Sequence, residues 1–339
     1  MITRVLTIDP THPEPAHLAE AAAILQRGGL VALATETVYG LAADATNPAA
    51  VSRIFEVKGR PAFNPLIVHV AEISQARGCC QDWPELAERL AGAFWPGPLT
   101  LVLKRSCFIP AVTAGGRETV AVRSPGHPVA LGVIAAAGLP LAAPSANRSN
   151  RVSPTRAEHV LADLDGKIEL VLDSGPTPLG LESTVVDLTS SPPRILRPGP
   201  ISPGELRVHL EDLDPAPQAV VGSMGGLPSP GMLPVHYAPR TPAWRVSSVS
   251  ELPELSRPER TALLVFSGEE VEPPSSSRPL LTIQFRDPTE AARQLYEVLR
   301  ALDAKRLEAI LVVLPPEAPE WQAVRDRLLR ATRTPPPQL

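Results

Sequence analysis

The sequence predicts an α/β protein of two units. Short apolar runs such as LVALAT, PLIVHV and TALLVF are bounded by Gly, Pro or polar clusters, as buried strands are. Between them lie segments whose apolar residues recur at helical spacing. A hydrophobic fraction of 44% against 20% charged residues is enough to cover both faces of a sheet without signalling a membrane protein.

In the first unit, Leu18, Ala21, Ala22 and Leu25 mark a helix that ends at Gly28-Gly29, followed by the strand LVALAT. Asn47-Pro48 reads as an N-cap with proline at the first helical position, and that helix turns Val51, Ile54 and Phe55 inward before stopping near Gly59. PLIVHV is the next strand. A helix over 84–94 leads to strand LTLVLK, TVAVRSP leads to a helix over 128–137, and LPLAAPS leads to a helix opening at Ser153-Pro154. That helix places Ala157, Val160, Leu161 and Leu164 on one face, and STVVDL and RILRPG close the unit. Mixed elements on short loops make a domain of about 200 residues, an ordinary size.

Periodicity disappears between Glu211 and Pro242, where seven prolines and four glycines indicate an extended linker. It resumes in strands TALLVF and LLTIQF, a helix over 289–302, strand AILVVL and a helix over 320–331, the pattern of a small Rossmann-like three-layer α/β unit. The boundaries are therefore 1–211, 212–241 and 242–339.

A net charge of −4 argues against a surface built wholly for nucleic acid but leaves room for a local anion pocket. Cys79, Cys80 and Cys107 form no Cys-x-x-Cys spacing, which disfavours zinc and a disulfide framework. No charged-then-apolar leader or membrane-length apolar run is visible, so the reading is a cytoplasmic protein without a membrane role. Ser-His-Asp, His-Glu-x-x-His and Walker-type patterns are absent from the sequence, which disfavours a serine hydrolase, a zincin and a P-loop ATPase.

The chain has four lysines against 28 arginines, so Lys58 in FEVKGRPAFNP stands out at a position where arginine is the local habit. Two readings of this turn stand. Lys58 and Arg60 complement a helix C-terminus capped by Gly59, or they form a two-cation anion site to which Asn64 and His69 add neutral donors. Tyr39 and Tyr237, two of three tyrosines, sit in the punctuated stretches TETVYGL and VHYAP. APSANRSNRVSPT gathers Ser145, Asn147, Ser149, Ser153 and Thr155, which serve as turn residues or as a hydroxyl and amide cluster at a helix N-terminus, a setting suited to a nucleotide. Arg123 and Arg197 end separate strands and either face solvent or converge on one anion; Ser183 stands at the entry to STVVDL.

Taken in order, TETVYGL, KGRP, WPGPLT, VAVRSPGHP, APSAN with SPT, LESTVVDL, RPG and PGMLPVHYAP resemble the long form of L-threonylcarbamoyladenylate synthase. The match lies almost wholly in residues 1 to about 241. It implies a twisted mixed-sheet YrdC-like domain with a concave cleft, joined to a smaller C-terminal domain. The implied activity is nucleotidyl transfer: threonylcarbamoyl-AMP and pyrophosphate are made from L-threonine, bicarbonate or CO2, and ATP accompanied by Mg2+. The product would pass to tRNA-modifying threonylcarbamoyltransferase proteins, which act on the adenosine next to the anticodon, and contact with tRNA or double-stranded RNA is compatible with the resemblance.

By motif, Thr37, His69, Arg123, Ser145 and Ser183 would surround threonine. Arg60, Asn64, Thr119, Asn147, Arg197 and either Ser153 or Thr155 would hold the nucleotide, with Lys58 and Arg60 as the catalytic cations. The segment 222–239 would act as a lid, bringing His236 and Tyr237 over the nucleotide. Asn150 replaces the family's usual glycine, in a position where asparagine tolerates left-handed geometry. A carbamoyltransferase built on a YrdC-like domain, or a non-catalytic double-stranded RNA-binding module, are the competing classes. The first lacks its zinc-finger and acylphosphatase-like segments here, and the second lacks a lysine-rich surface.

Overall fold

In a computed structural model, residues 2–214, 236–250, 252, 257–273 and 279–334 are described. Two compact units divide the chain, the first containing 2–149 and 153–214, the second 150–152 and the described residues from 236 onward. Residues 215–235 of the expected linker, and most of the expected lid, lie outside the described residues.

The first unit opens with β1 (Arg4–Thr7), α1 (Pro15–Gln26), β2 (Val31–Ala34) and β3 (Tyr39–Asp44). Helix α2 (Pro48–Lys58) then leads to β4 (Ile67–His69), α3 (Ile73–Cys79) and α4 (Glu85–Phe94). Next come β5 (Leu99–Lys104), β6 (Thr119–Arg123), α5 (Pro128–Ala137) and β7 (Leu141–Ala142). The unit closes with α6 (Ala157–Leu164), β8 (Leu170–Asp173), β9 (Thr184–Asp187), β10 (Arg194–Arg197) and α7 (Pro203–Arg207). Its strands form one ten-stranded sheet in the order β1-β8-β2-β3-β7-β4-β6-β5-β9-β10. Pairing is mixed: β1, β8 and β2 run parallel, β2 and β3 antiparallel, β4 and β6 parallel, β6 and β5 antiparallel.

The continuous apolar runs of the sequence are explained by burial on both faces. Along β2, Val31 and Leu33 pack with α1 and α5, whereas Ala32 and Ala34 face the other core, which holds Val51 and Ile54 of α2 and Leu90 of α4. Strand β8 divides in the same way, Leu170 and Leu172 on one side and Val171 on the other. Period-two alternation is present, but both registers are apolar.

Helix α2 behaves as its sequence predicts. The Asn47 Oδ1 accepts from the backbone N–H groups of Ala49 (3.0 Å) and Ala50 (3.2 Å), and Gly59 closes the helix at φ 61, a left-handed conformation that favours glycine. Asn47→Ala should lower stability by about 1 kcal/mol, read as a shift in the denaturant midpoint with unchanged slope. An unaltered midpoint would show that solvent caps the helix equally well.

Several elements differ from expectation. TETVYGL is a turn only as far as Val38; Tyr39 begins β3, is fully buried and donates its hydroxyl to the Gly175 carbonyl (2.7 Å). Tyr39 is thus a packing residue, not a loop residue. The helix expected at Ser153-Pro154 begins instead at Ala157, because the Ser153 hydroxyl is engaged by Glu182 (2.6 Å) and not by a helix N-terminus. Strands β1, β3 and β8 and helices α3 and α7 are additional to the sequence reading.

In the second unit, β11 (Ala243–Val246), also unforeseen, joins β12 (Thr261–Phe266), β13 (Leu281–Phe285) and β14 (Ala309–Val313). Helix α8 (Pro288–Ala304) lies between β13 and β14, and α9 (Gln322–Ala331) follows β14. The sheet is all parallel, in the order β11-β14-β12-β13.

Candidate active site

Strand register assembles the first group of residues. Parallel pairing sets His69 directly beside Arg123, the last residues of β4 and β6. Strand β5 begins at that end of β6, β9 begins beside β5, and β10 ends there by antiparallel pairing with β9. His69, Arg123, Ser183 and Arg197 are thereby delivered to one end of five neighbouring strands.

Arg123 is 3% exposed and its guanidinium is divided among three partners. Nε donates to the Gly97 carbonyl (3.1 Å), Nη1 donates to the Thr37 hydroxyl (3.1 Å), and Nη2 lies 2.6 Å from the Glu36 carboxylate. The Thr37 hydroxyl also shares a hydrogen bond with Thr35 (2.8 Å). Glu36 is absent from the sequence reading, and its carboxylate against Arg123 adds an acidic group to the site. The available signal was a carboxylate held between two threonines in a strand-to-strand turn; its arginine lies too far along the chain for any local pattern to reveal.

Burial, and then the Arg123 charge, push the His69 imidazole down to about 3. Its ring is neutral at physiological pH and is a hydrogen-bonding group, not a cation. Because the unfolded ring titrates near its ordinary 6.5, the unfolded state binds the extra proton between pH ~6.5 and ~3. Stability should therefore fall on acidification through that window, with a slope approaching about 1.4 kcal/mol per pH unit from this residue. His69→Gln should flatten the fall between pH 6.5 and 4; equal slopes for the two proteins would refute the assignment.

A second group surrounds Lys58, which is 3% exposed. Its Nζ donates to the carbonyls of Ser145 and Asn147, each at 2.5 Å, and to Asn147 Oδ1 at 3.3 Å. Three acceptors match the three N–H bonds of an ammonium. Burial first, and then the nearby Arg60 charge, push the amine well below the usual lysine range, with the Asp163 carboxylate opposing. Of the two readings of the KGR turn, the helix-end one holds in that Lys58 lies in the last turn of α2 beside the Gly59 cap, but its amine is buried on the Ser145–Asn147 loop. Ser145 Oγ donates to Asn147 Oδ1 (2.6 Å), so lysine and serine orient one amide. Arg60 is equally committed: Nε donates to the Asn64 carbonyl (3.2 Å), and Nη2 donates to Asn64 Oδ1 (2.6 Å) and the Pro65 carbonyl (2.8 Å). That leaves Asn64 Nδ2 buried with no hydrogen-bond acceptor among the described residues.

In the third group, Arg197 donates through Nη2 to Ser183 Oγ (2.9 Å) and through Nε to the Ser183 carbonyl (3.0 Å). The Ser183 hydroxyl also meets Thr100 (2.8 Å). Ser153 is held by Glu182, and the Thr155 hydroxyl lies 3.4 Å from His159 Nδ1. Thr119 begins β6 and stands at the opposite end of that strand from Arg123. His236 and Tyr237 belong to the second unit, where their rings meet edge to face at 4.0 Å. There Tyr237, at φ 60, stacks on Tyr296 (5.7 Å) beneath the Arg327 guanidinium (5.2 Å). Asn150 adopts φ 65, the left-handed geometry foreseen for it.

Burial pushes the Cys79 and Cys80 thiols up to about 12, so neither is a nucleophile at neutral pH. Among the described residues, no group of three or more His, Cys, Asp or Glu could hold a metal ion, and no helix is long and apolar enough to cross a membrane. The arrangement offers cations, hydroxyls and amides that can bind anions and a hydroxylated zwitterion.

Comparison with known proteins gives concordant results. The Sua5/YciO/YrdC family model, described as telomere recombination, matches residues 23–199, and the model for the C-terminal domain of threonylcarbamoyl-AMP synthase matches 201–332. The threonylcarbamoyl-AMP synthase of Pyrococcus abyssi is 42% identical over 92% of this chain and 93% of its own length. That of Bacillus subtilis is 40% identical over 93% and 92%. Among solved structures, P. abyssi Sua5 complexed with L-threonine superposes with a TM-score of 0.86 at 38% identity, covering 97% of each chain. A form of that protein with alanines in place of a histidine and a tyrosine gives 0.84 at 36% identity, covering 97% of this chain and 96% of its own.

Proposed function

The chain belongs to the threonylcarbamoyl-AMP synthase family, and from that premise we propose that it is an enzyme that makes threonylcarbamoyl-AMP and pyrophosphate from L-threonine, bicarbonate or CO2, and ATP. The observation that carries this reading is the pair of buried cation groups, Lys58 with the Ser145–Asn147 loop and Arg123 with Thr37 and Glu36.

The chemistry is nucleotidyl transfer. Carboxylation of the threonine amine gives a carbamate, one oxygen of which attacks the α-phosphate of ATP while pyrophosphate leaves. Such a displacement needs alignment and neutralisation of charge more than a protein nucleophile. Arg123 takes the threonine carboxylate, and Thr37, His69, Ser145 and Ser183 face its hydroxyl and backbone. Arg60, Asn64, Asn147 and Arg197 serve the nucleotide, along with Thr119 and either Ser153 or Thr155. Lys58 orders the Ser145–Asn147 loop on which both substrates depend.

Magnesium would enter with ATP and supply charge neutralisation at its phosphates. The product is an activated carbamoyl group whose consumer is a transferase acting on the tRNA adenosine next to the anticodon, and the compartment is the cytoplasm.

The test is pyrophosphate release that requires threonine and bicarbonate together, with the adenylate identified by mass spectrometry. Valine, which lacks the hydroxyl, should be turned over at least about a hundredfold less efficiently than threonine, whereas serine should lose only a modest factor. Pyrophosphate release independent of threonine would refute the synthase reading; equal use of valine and threonine would refute the hydroxyl contacts.

A further inference from the structure

Glu36 has no assigned part in the reaction, yet it is buried against Arg123. The ion pair with Arg123 is buried on both sides, with side-chain exposures of 10% and 3%. Apart from that ion pair, neither carboxylate oxygen of Glu36 nor Nη2 of Arg123 has a hydrogen-bond partner among the described residues. A buried pair that serves only structure is stabilising when its remaining lone pairs and protons are satisfied, because desolvation otherwise exceeds the Coulombic gain. Here they are left unmade. The turn itself is fixed: the Glu36 carbonyl accepts from Leu179 N–H (2.9 Å), and Thr37 is held by Arg123. A side chain at Gly126 would begin 3.4 Å from the Glu36 carboxyl group, so glycine there keeps the space beside the carboxylate clear.

We propose that Glu36 receives the α-ammonium of threonine while Arg123 holds its carboxylate, making the buried pair a receptor for an amino-acid zwitterion. This rests on the threonine reading above. A guanidinium has five N–H donors, of which two make hydrogen bonds here, and a carboxylate offers about four lone-pair sites. The zwitterion brings three N–H donors and two carboxylate oxygens and adds no net charge to a dry site. An anion without the amine would place an unpaired negative charge against Glu36.

The experiment is calorimetric titration of the full-length protein with L-threonine and with (R)-3-hydroxybutanoate, which keeps the carboxylate and hydroxyl but lacks the amine. Wild type should prefer threonine by about a hundredfold or more. Glu36→Gln should lose at least about tenfold in threonine affinity, in line with a lost hydrogen bond to a charged group, and should bind the hydroxy acid at least as well as wild type does. Glu36→Asp, with its carboxylate drawn back by one methylene, should bind threonine more weakly yet still reject the hydroxy acid; it carries the test if the glutamine variant does not fold. An unchanged ratio in Glu36→Gln would mean that Glu36 only neutralises Arg123, and tighter binding of both ligands would mean that it competes for the arginine; either overturns the proposal. If wild type binds no threonine, the reading under Proposed function falls as well, whereas binding with an unchanged ratio overturns this inference alone.

Discussion

Replacing Lys58 by methionine should reduce product formation by at least about a hundredfold while the protein remains folded. The amine makes two short contacts to the carbonyls of Ser145 and Asn147. Each hydrogen bond of a charged donor contributes about 1.5–3 kcal/mol. Losing both exceeds the roughly 2.7 kcal/mol that corresponds to two decades in rate. Methionine fills most of the volume and spares the protein the cost of burying an ammonium, so the thermal midpoint should move less than the activity. Lys58→Arg should not rescue activity, because a planar fork cannot meet three acceptors arranged about a tetrahedral nitrogen. Arg60→Ala should be similarly inactive, since it frees Asn64 Oδ1 and the Pro65 carbonyl together. Steady-state pyrophosphate release and circular-dichroism melts make the comparison; near-wild-type turnover by Lys58→Met would show that the loop does not need the amine.

Arg123→Met should be the most destabilising single change in the site, at roughly 3–5 kcal/mol, because it leaves Glu36 as a buried carboxylate without its cation. Adding Glu36→Leu should recover much of that loss, since a buried ion pair exchanged for apolar side chains is often neutral or stabilising. Activity should not return in the double variant. Denaturant unfolding of both singles and the double, with threonine turnover alongside, completes the cycle. Additive losses in stability would mean that the two residues do not depend on one another.

The secondary elements that sequence located well were those with local punctuation. Asn47-Pro48 and Gly59 bracket α2, and Pro128 and Gly138 bracket α5, because caps and breakers act within a few residues. Strand β1 escapes the sequence reading because it is a largely exposed edge strand without a continuous apolar run, and β8 because its partners β1 and β2 lie far away in the chain. The same distinction governs the site. Lys58 stood out by composition, and Arg123 and Arg197 by their strand-end positions, but what each one touches is set by pairing between remote segments. Glu36 could not be matched to Arg123 without the sheet, nor could Ser153 be matched to Glu182, which is why a helix start was read where a buried hydrogen bond stands.

Strand β8 pairs on one side with β1 and on the other with β2, so residues 170–173 complete a part of the sheet begun within the first 34 residues. On the ribosome, the first of these strands emerge well before their partner exists. At ~5–20 residues per second the interval is on the order of ten seconds. During it, Val31 and Leu33 have one strand edge unfilled, a template that another nascent chain can occupy. The hairpin of β2 and β3 can form at once from local contacts, whereas β1 must wait. Messages truncated between β3 and β8 should therefore yield chains that associate with one another, and completion of residue 173 is the point in synthesis at which that hazard ends.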